Sequence, residues 1–249
     1  CSLRSRNPAR QLFVLSTLTA CLLMARGEVL AATCASNASV SVSCSDLSIS
    51  LPNLTITIDE GVTVSSPGGN GVYVQPSATG ITLINNGTIS SAGQYSATVL
   101  NFGGISSFIN NGVVGPGEKM FNMGPIGTLT NLGVITGSYG SIVNVNSIGT
   151  LNNRQGGSSP LTMPNYGLPI NYNIIIDSPS VYGKLSAPNS AGNLTFGIYN
   201  TSVVAPGTYR QCAVQEEGVI IYEAAEPGTV TLAGRACEGK GSLVLRGTG

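Results

Sequence analysis

The sequence predicts an all-β chain, a parallel β-helix (solenoid) preceded by an N-terminal signal-peptide helix. Three observations carry that prediction. An Asn-rich motif recurs every twenty-odd residues, the period of a stacked architecture. Short runs of Val, Ile and Leu alternate with Ser, Thr and Asn, as half-buried strands require. The first stretch of chain, residues 1–32, has the layout of an export signal. Hydrophobic residues make up 42% of the 249, which places the chain well outside the disordered class although 33 are glycine.

The N-terminal element comes first. Arg4, Arg6 and Arg10 precede an apolar run from Leu12 to Met24, and Val29-Leu30-Ala31-Ala32 follows. A positive segment, a short apolar core and a small-residue site make a secretory signal peptide over residues 1–32, with cleavage after Ala32. The apolar run is too short to cross a bilayer as a helix, so the mature chain has no expected transmembrane span. Arg10, Arg26 and Glu28 at its ends argue against a buried core helix. Leu18-Thr19-Ala20-Cys21 resembles a bacterial lipobox, and a surface lipoprotein anchored at Cys21 is the competing outcome.

Export determines how the cysteines read. Cleavage removes Cys1 and Cys21 and leaves Cys34, Cys44, Cys212 and Cys237. An oxidising compartment permits a small-loop disulfide between Cys34 and Cys44. A zinc site is the alternative, but neither pair has Cys-x-x-Cys spacing and the chain has no histidine. Sequence leaves the pairing of Cys212 and Cys237 open.

The repeat occupies residues 33–209. Ile81-Thr-Leu-Ile-Asn85-Asn-Gly87-Thr-Ile89 is followed by Phe108-Ile-Asn110-Asn-Gly112-Val-Val114 and by Leu129-Thr-Asn131-Leu-Gly133-Val-Ile135. A degenerate copy, Leu151-Asn-Asn153-Arg-Gln-Gly156, closes the series, and Ile56-Thr-Ile58-Asp-Glu-Gly61-Val-Thr-Val64 is a weaker relative ahead of it. Stacking places Asn85, Asn110, Asn131 and Asn153 at equivalent turns, one rung of ~4.8 Å apart, where their amides can form a ladder. Gly87, Gly112 and Gly133 are expected to turn the corners at positive φ. At ~22 residues per rung the segment predicts about eight rungs. Helical repeats fit poorly because β-branched residues and glycine dominate. An antiparallel sandwich with Asn-Gly hairpins is the rival architecture.

The tail, residues 210–249, breaks the pattern. It holds Glu216, Glu217, Glu223 and Glu226 and two cysteines, whereas residues 33–209 carry only eight charges in all. It reads either as a polar cap over the open end of the solenoid or as a frameshifted segment.

The signal sequence, the Cys-bounded first strand, the Asn-Asn-Gly-Thr-Ile rungs, and Asn152-Asn-Arg-Gln-Gly-Gly leading to Asn171-Tyr-Asn-Ile-Ile-Ile together resemble the passenger of bacterial autotransporters. The resemblance covers about residues 11–209. It implies a β-helical passenger at the cell surface, delivered with the help of secretion machinery and followed by an outer-membrane barrel. The chain departs from the family there: no series of alternating ten-residue strands exists to close a barrel, so it reads as truncated before that domain.

Composition narrows the chemistry. The net charge is zero and only 9% of residues are charged, so no basic footprint for nucleic acid exists. Without histidine, Ser-His-Asp and Cys-His catalysis are excluded. Trp is also absent, which removes the commonest interface anchor. Glycoside hydrolysis needs two carboxylates facing one cleft, and Asp46, Glu118 and Asp177 lie far apart in sequence, on different expected rungs. Asp59 and Glu60, read as neighbours on a strand, point to opposite faces. The expectation is therefore a non-enzyme, without metal or cofactor, acting as an adhesin-like or structural scaffold. Its partner would be an unidentified surface ligand, a host or neighbouring-cell protein or glycan. Its location would be the cell surface, the medium or the periplasm. A β-helical polysaccharide-active enzyme is the alternative. Tyr73, Tyr95, Tyr139, Tyr166 and Tyr172 are the candidate contact aromatics.

Overall fold

The computed structural model describes residues 32–93, 95–178, 180–188, 190 and 194–203 in full, and residue 193 and the strands at 207–210, 218–223, 232–235 and 240–246 as backbone alone. The expected signal-peptide helix lies outside the described residues, as do Cys21, Cys212 and Cys237.

Each coil of chain lays one short strand on each of three faces. The first coil places β1 (Cys44–Ser45), β2 (Leu47–Ile49) and β3 (Thr55–Ile58) on the first, second and third faces. The second repeats this with β4 (Thr63–Ser66), β5 (Val72–Val74) and β6 (Ile81–Asn85), and the third with β7 (Thr88–Ser91), β8 (Val99–Asn101) and β9 (Ile105–Asn110). The fourth holds β10 (Val113–Gly117), β11 (Met120–Asn122) and β12 (Ile126–Asn131). The fifth holds β13 (Val134–Ile135), β14 (Ile142–Asn144) and β15 (Ile148–Asn153). Then follow β16 (Leu161–Thr162), β17 (Asn171–Ile174), β18 (Ile176–Ser178), β19 (Val181–Tyr182), β20 (Leu185–Ser186) and β21 (Asn193–Ile198). The final strands are β22 (Gly207–Arg210), β23 (Gly218–Glu223), β24 (Leu232–Arg235) and β25 (Lys240–Arg246).

Every strand on the three faces pairs in parallel with its counterpart one coil away, from β1 to β13, from β2 to β14 and from β3 through β17 to β21. This is the parallel β-helix, and the hairpin sandwich is excluded. It makes about six turns rather than the eight expected. Two segments explain the shortfall. Residues 33–43 pass the three faces in order with isolated parallel bridges, too short a stretch for a full coil of strands, and β18 and β19 form a local antiparallel excursion that spends chain without adding a rung. After β21 the parallel stacking stops, for β24 pairs with it antiparallel.

Period-2 alternation builds the interior. Cys44, Val64, Ile89, Val114 and Ile135 stack inward on the first face. On the third face Ile56, Leu83, Phe108, Leu129, Leu151, Tyr172 and Phe196 form one column. All of these are buried. Each contributes about 1.5–3 kcal/mol of burial, against ~1 kcal/mol net for a hydrogen bond, so the apolar columns supply most of the stability.

Both ends of the coil stack are stitched. Cys34 and Cys44 form a disulfide, with Cα atoms 4.9 Å apart. On the first face Cys34 N donates to Ser45 O and Ser45 N to Ala32 O. On the second, Asn37 N donates to Ser48 O, while Asn37 Oδ1 accepts from Ser50 N and Leu51 N. On the third, Val40 N donates to Thr57 O, Asp59 N to Val40 O, and Thr57 N to Ser39 Oγ. At the other end, below β13, the buried Gln155 amide stands in for a strand: Oε1 accepts from Ile135 N at 2.7 Å and Nε2 donates to Ile135 O at 3.1 Å.

Candidate binding surface

The four singled-out asparagines are brought together, but inside. Asn85, Asn110, Asn131 and Asn153 end β6, β9, β12 and β15, pair in register, and are each 0% exposed. Nδ2 of Asn85 donates to Oδ1 of Asn110 at 2.8 Å, Asn110 to Asn131 at 2.8 Å, and Asn131 to Asn153 at 3.0 Å. A second acceptor fixes each amide: Val113 O for Asn85 and Val134 O for Asn110. None has positive φ. They form the expected ladder one rung apart, but as core residues at the ends of strands rather than in turns.

The expected corner role of the glycines is corrected as well. Gly87, Gly112 and Gly133 have no positive φ. They are needed because stacked backbones meet there: an added Cβ would lie 2.2 Å from Val62 O at Gly87, 2.0 Å from Gly87 O at Gly112, and 2.0 Å from Gly112 O at Gly133.

A second buried ladder lies outside the Asn-Asn-Gly motif. Asn101 Nδ2 donates to Asn122 Oδ1 and Asn122 Nδ2 to Asn144 Oδ1, both at 2.8 Å, on the second face. Both ladders run in one direction. At their leading ends Asn85 Oδ1 and Asn101 Oδ1 are buried without a hydrogen-bond partner, because the preceding rung offers Ile58 and Val74.

Among the described residues the carboxylates do not converge. Asp46 accepts from Ser66 Oγ at 2.5 Å, Glu118 pairs with Lys119 at 3.3 Å, and Asp177 pairs with Arg154 at 2.6 Å. Asp59 and Glu60 are exposed just past β3, at a corner rather than on the strand expected. Among the described residues no group of three Cys, Asp or Glu side chains could hold a metal ion.

What distinguishes one face from the others is apolar character on its outside. The third face has two outward columns, Thr55, Thr82, Ser107, Thr128, Thr150, Asn171 and Thr195, and beside it Thr57, Ile84, Ile109, Thr130, Asn152 and Asn173, so it is mainly hydroxyl and amide with two isoleucines. On the second face the outward column is Ser48, Tyr73, Leu100 and Phe121, the last three half-buried, and it ends at Val143, which is itself buried. Beside it, two residues further along each strand, stand the exposed Phe102, Met123 and Val145. Tyr73 and Phe102 meet edge to face at 6.1 Å, and Lys119 Nζ lies 6.0 Å from the Phe121 ring and 5.2 Å from that of Tyr139. Of the candidate tyrosines, Tyr73 belongs to this surface, Tyr139 flanks it, and Tyr95 and Tyr166 stand exposed in loops. Tyr172 is fully buried in the third-face column. The signal was present in sequence: Val72-Tyr-Val74, Val99-Leu-Asn101, Met120-Phe-Asn122 and Ile142-Val-Asn144 are apolar in the middle, where a solvated strand would be polar.

No helix among the described residues is long and apolar enough to cross a membrane. Comparison of the chain with family models, curated proteins and solved structures gives no match.

Proposed function

We propose that this chain is an exported, non-catalytic binding scaffold, adhesin-like, of the kind found as autotransporter passengers, and that it meets its ligand with the second face. The outward columns of that face carry the proposal. A contiguous apolar patch on a solenoid whose third face presents mainly hydroxyls and amides is what a contact surface requires. The export half rests on the layout of residues 1–32 and on a disulfide suited to an oxidising compartment. Fold alone assigns no function, so the residues on the surface bear the weight.

Two measurements test it. N-terminal sequencing of protein recovered outside the cytoplasm should begin at Thr33. A start at lipid-modified Cys21 would replace secretion by anchoring, and an intact cytoplasmic N-terminus would end the export reading. For the surface, purified protein is tested against an immobilised panel of glycans and extracellular proteins. Phe102→Ser with Phe121→Ser should reduce retention at least tenfold while the thermal transition moves by only a few degrees. Unchanged binding in that variant, or turnover on a polysaccharide panel, would defeat the reading.

A further inference from the structure

The segment 33–43 contacts the edge strand of all three faces, and it does so through unlike groups. Backbone serves the first face (Cys34 N to Ser45 O), and backbone with a carboxamide the second (Asn37 N to Ser48 O, and Asn37 Oδ1 accepting from Ser50 N and Leu51 N). Backbone and hydroxyl serve the third (Val40 N to Thr57 O, Ser39 Oγ from Thr57 N). Besides these hydrogen bonds it makes two isolated parallel bridges, Thr33 to Ser45 and Val40 to Ile58, and it buries Cys34 and Val40 against the core. Its covalent tie is the Cys34–Cys44 bond, which closes on the residue that opens β1. Beneath it lie strand edges of the same geometry as those to which this chain's own next coil adds in register. A strand edge of that kind is a template for another strand.

We propose that residues 33–43 are a disulfide-held guard over a self-association surface, the edges of β1, β2 and β3, and that the occupant of that surface is the same end of a second copy of this chain. The far end of the coil stack is a poor partner, because Gln155 closes the edge of β13, β24 covers that of β21, and at β14 the chain returns so that Ser141 N donates to Thr162 O and Gly167 N to Asn144 O. Two like ends meet about a two-fold axis, which makes the pairing antiparallel and closed, a dimer rather than a fibre. Opening needs a dithiol reductant: it gives two electrons and two protons, the Cys34–Cys44 bond breaks to two thiols, and the reductant leaves as its own disulfide. The inference does not depend on the ligand-binding role of the second face.

Sedimentation velocity on the purified protein tests it, with far-ultraviolet circular dichroism reporting the strands. The oxidised protein is expected to sediment as a monomer. Protein reduced with dithiothreitol, and the Cys34→Ser, Cys44→Ser variant, should dimerise at least tenfold more tightly with the strand signal kept. Thr57→Pro in that variant should restore the monomer, since the Thr57 amide faces the guard and not β6. Dimerisation unaffected by Thr57→Pro, or a monomer that persists after a protease has cut within 33–43, overturns the proposal. So does loss of the strand signal in both opened forms, because the coils must stand without the guard.

Discussion

Among the described residues three buried side-chain oxygens lack a hydrogen-bond partner, Thr98 Oγ1 and the two that lead the ladders, Asn85 Oδ1 and Asn101 Oδ1. An unpaired buried acceptor costs ~1–3 kcal/mol, and a donor on the preceding rung would recover part of that. Val74 is in register with Asn101, whereas Val72 faces Val99. Val74→Thr should therefore be less destabilising than Val72→Thr by about 1 kcal/mol in urea titrations, although the chemistry of the two changes is the same. Inside the ladder the sign reverses: Asn110→Ala deprives Asn131 Oδ1 of its donor and leaves a void, and should cost ~2–4 kcal/mol by the same measurement. The inward position of these asparagines was legible in parity. Leu83 and Asn85, Phe108 and Asn110, Leu129 and Asn131, and Leu151 and Asn153 are each two apart, and period 2 sends both members to one side. Polarity argued for the outside, and the hydrogen bonds that make the inside acceptable are long-range, beyond any local reading.

At the scale of the strand and its corner, the spacing of rungs is set by backbone contact. Gly112 and Gly133 sit where one coil's corner rests on the carbonyl of the corner before it. Gly112→Ala should cost about 3 kcal/mol or more, since a backbone atom at 2.0 Å has nowhere to go. Gly61 makes the contrast. It has φ of +75° with nothing within 4 Å of an added Cβ, so Gly61→Ala should cost only ~1–2 kcal/mol of left-handed strain. Equal effects at the two sites would disprove the contact argument. The sequence marks all these glycines alike, and only the stacking separates a conformational requirement from a steric one. Strand existence and parallel order were legible from the repeat of Asn85, Asn110 and Asn131. The apolar outside of β8 and β11 is harder to read, because Val99-Leu100 and Met120-Phe121 are apolar at successive positions and period 2 then has no polar partner to mark the outer side.

The coil stack as a whole behaves as a row of neighbours, each coil stabilised by the one on either side. Loss of the Cys34–Cys44 bond should lower unfolding stability by about 2–3 kcal/mol, the chain-entropy scale for so short a loop, measured by chemical denaturation with and without reductant. The number of turns was overestimated because length divided by period assumes that every residue serves a coil, and neither residues 33–43 nor the β18–β19 excursion does. The repeating amide ladder has a last consequence, for inheritance. Excising residues 86–110 would join Asn85 to Asn111, hand the Asn85 amide to Asn131, and set Gly112 against the Val62 carbonyl in place of Gly87. Nothing in the remaining register would notice. Whole-coil gain and loss is thus the change that lineages of this sequence can tolerate, and copy number of the repeat is the trait in which relatives should differ most.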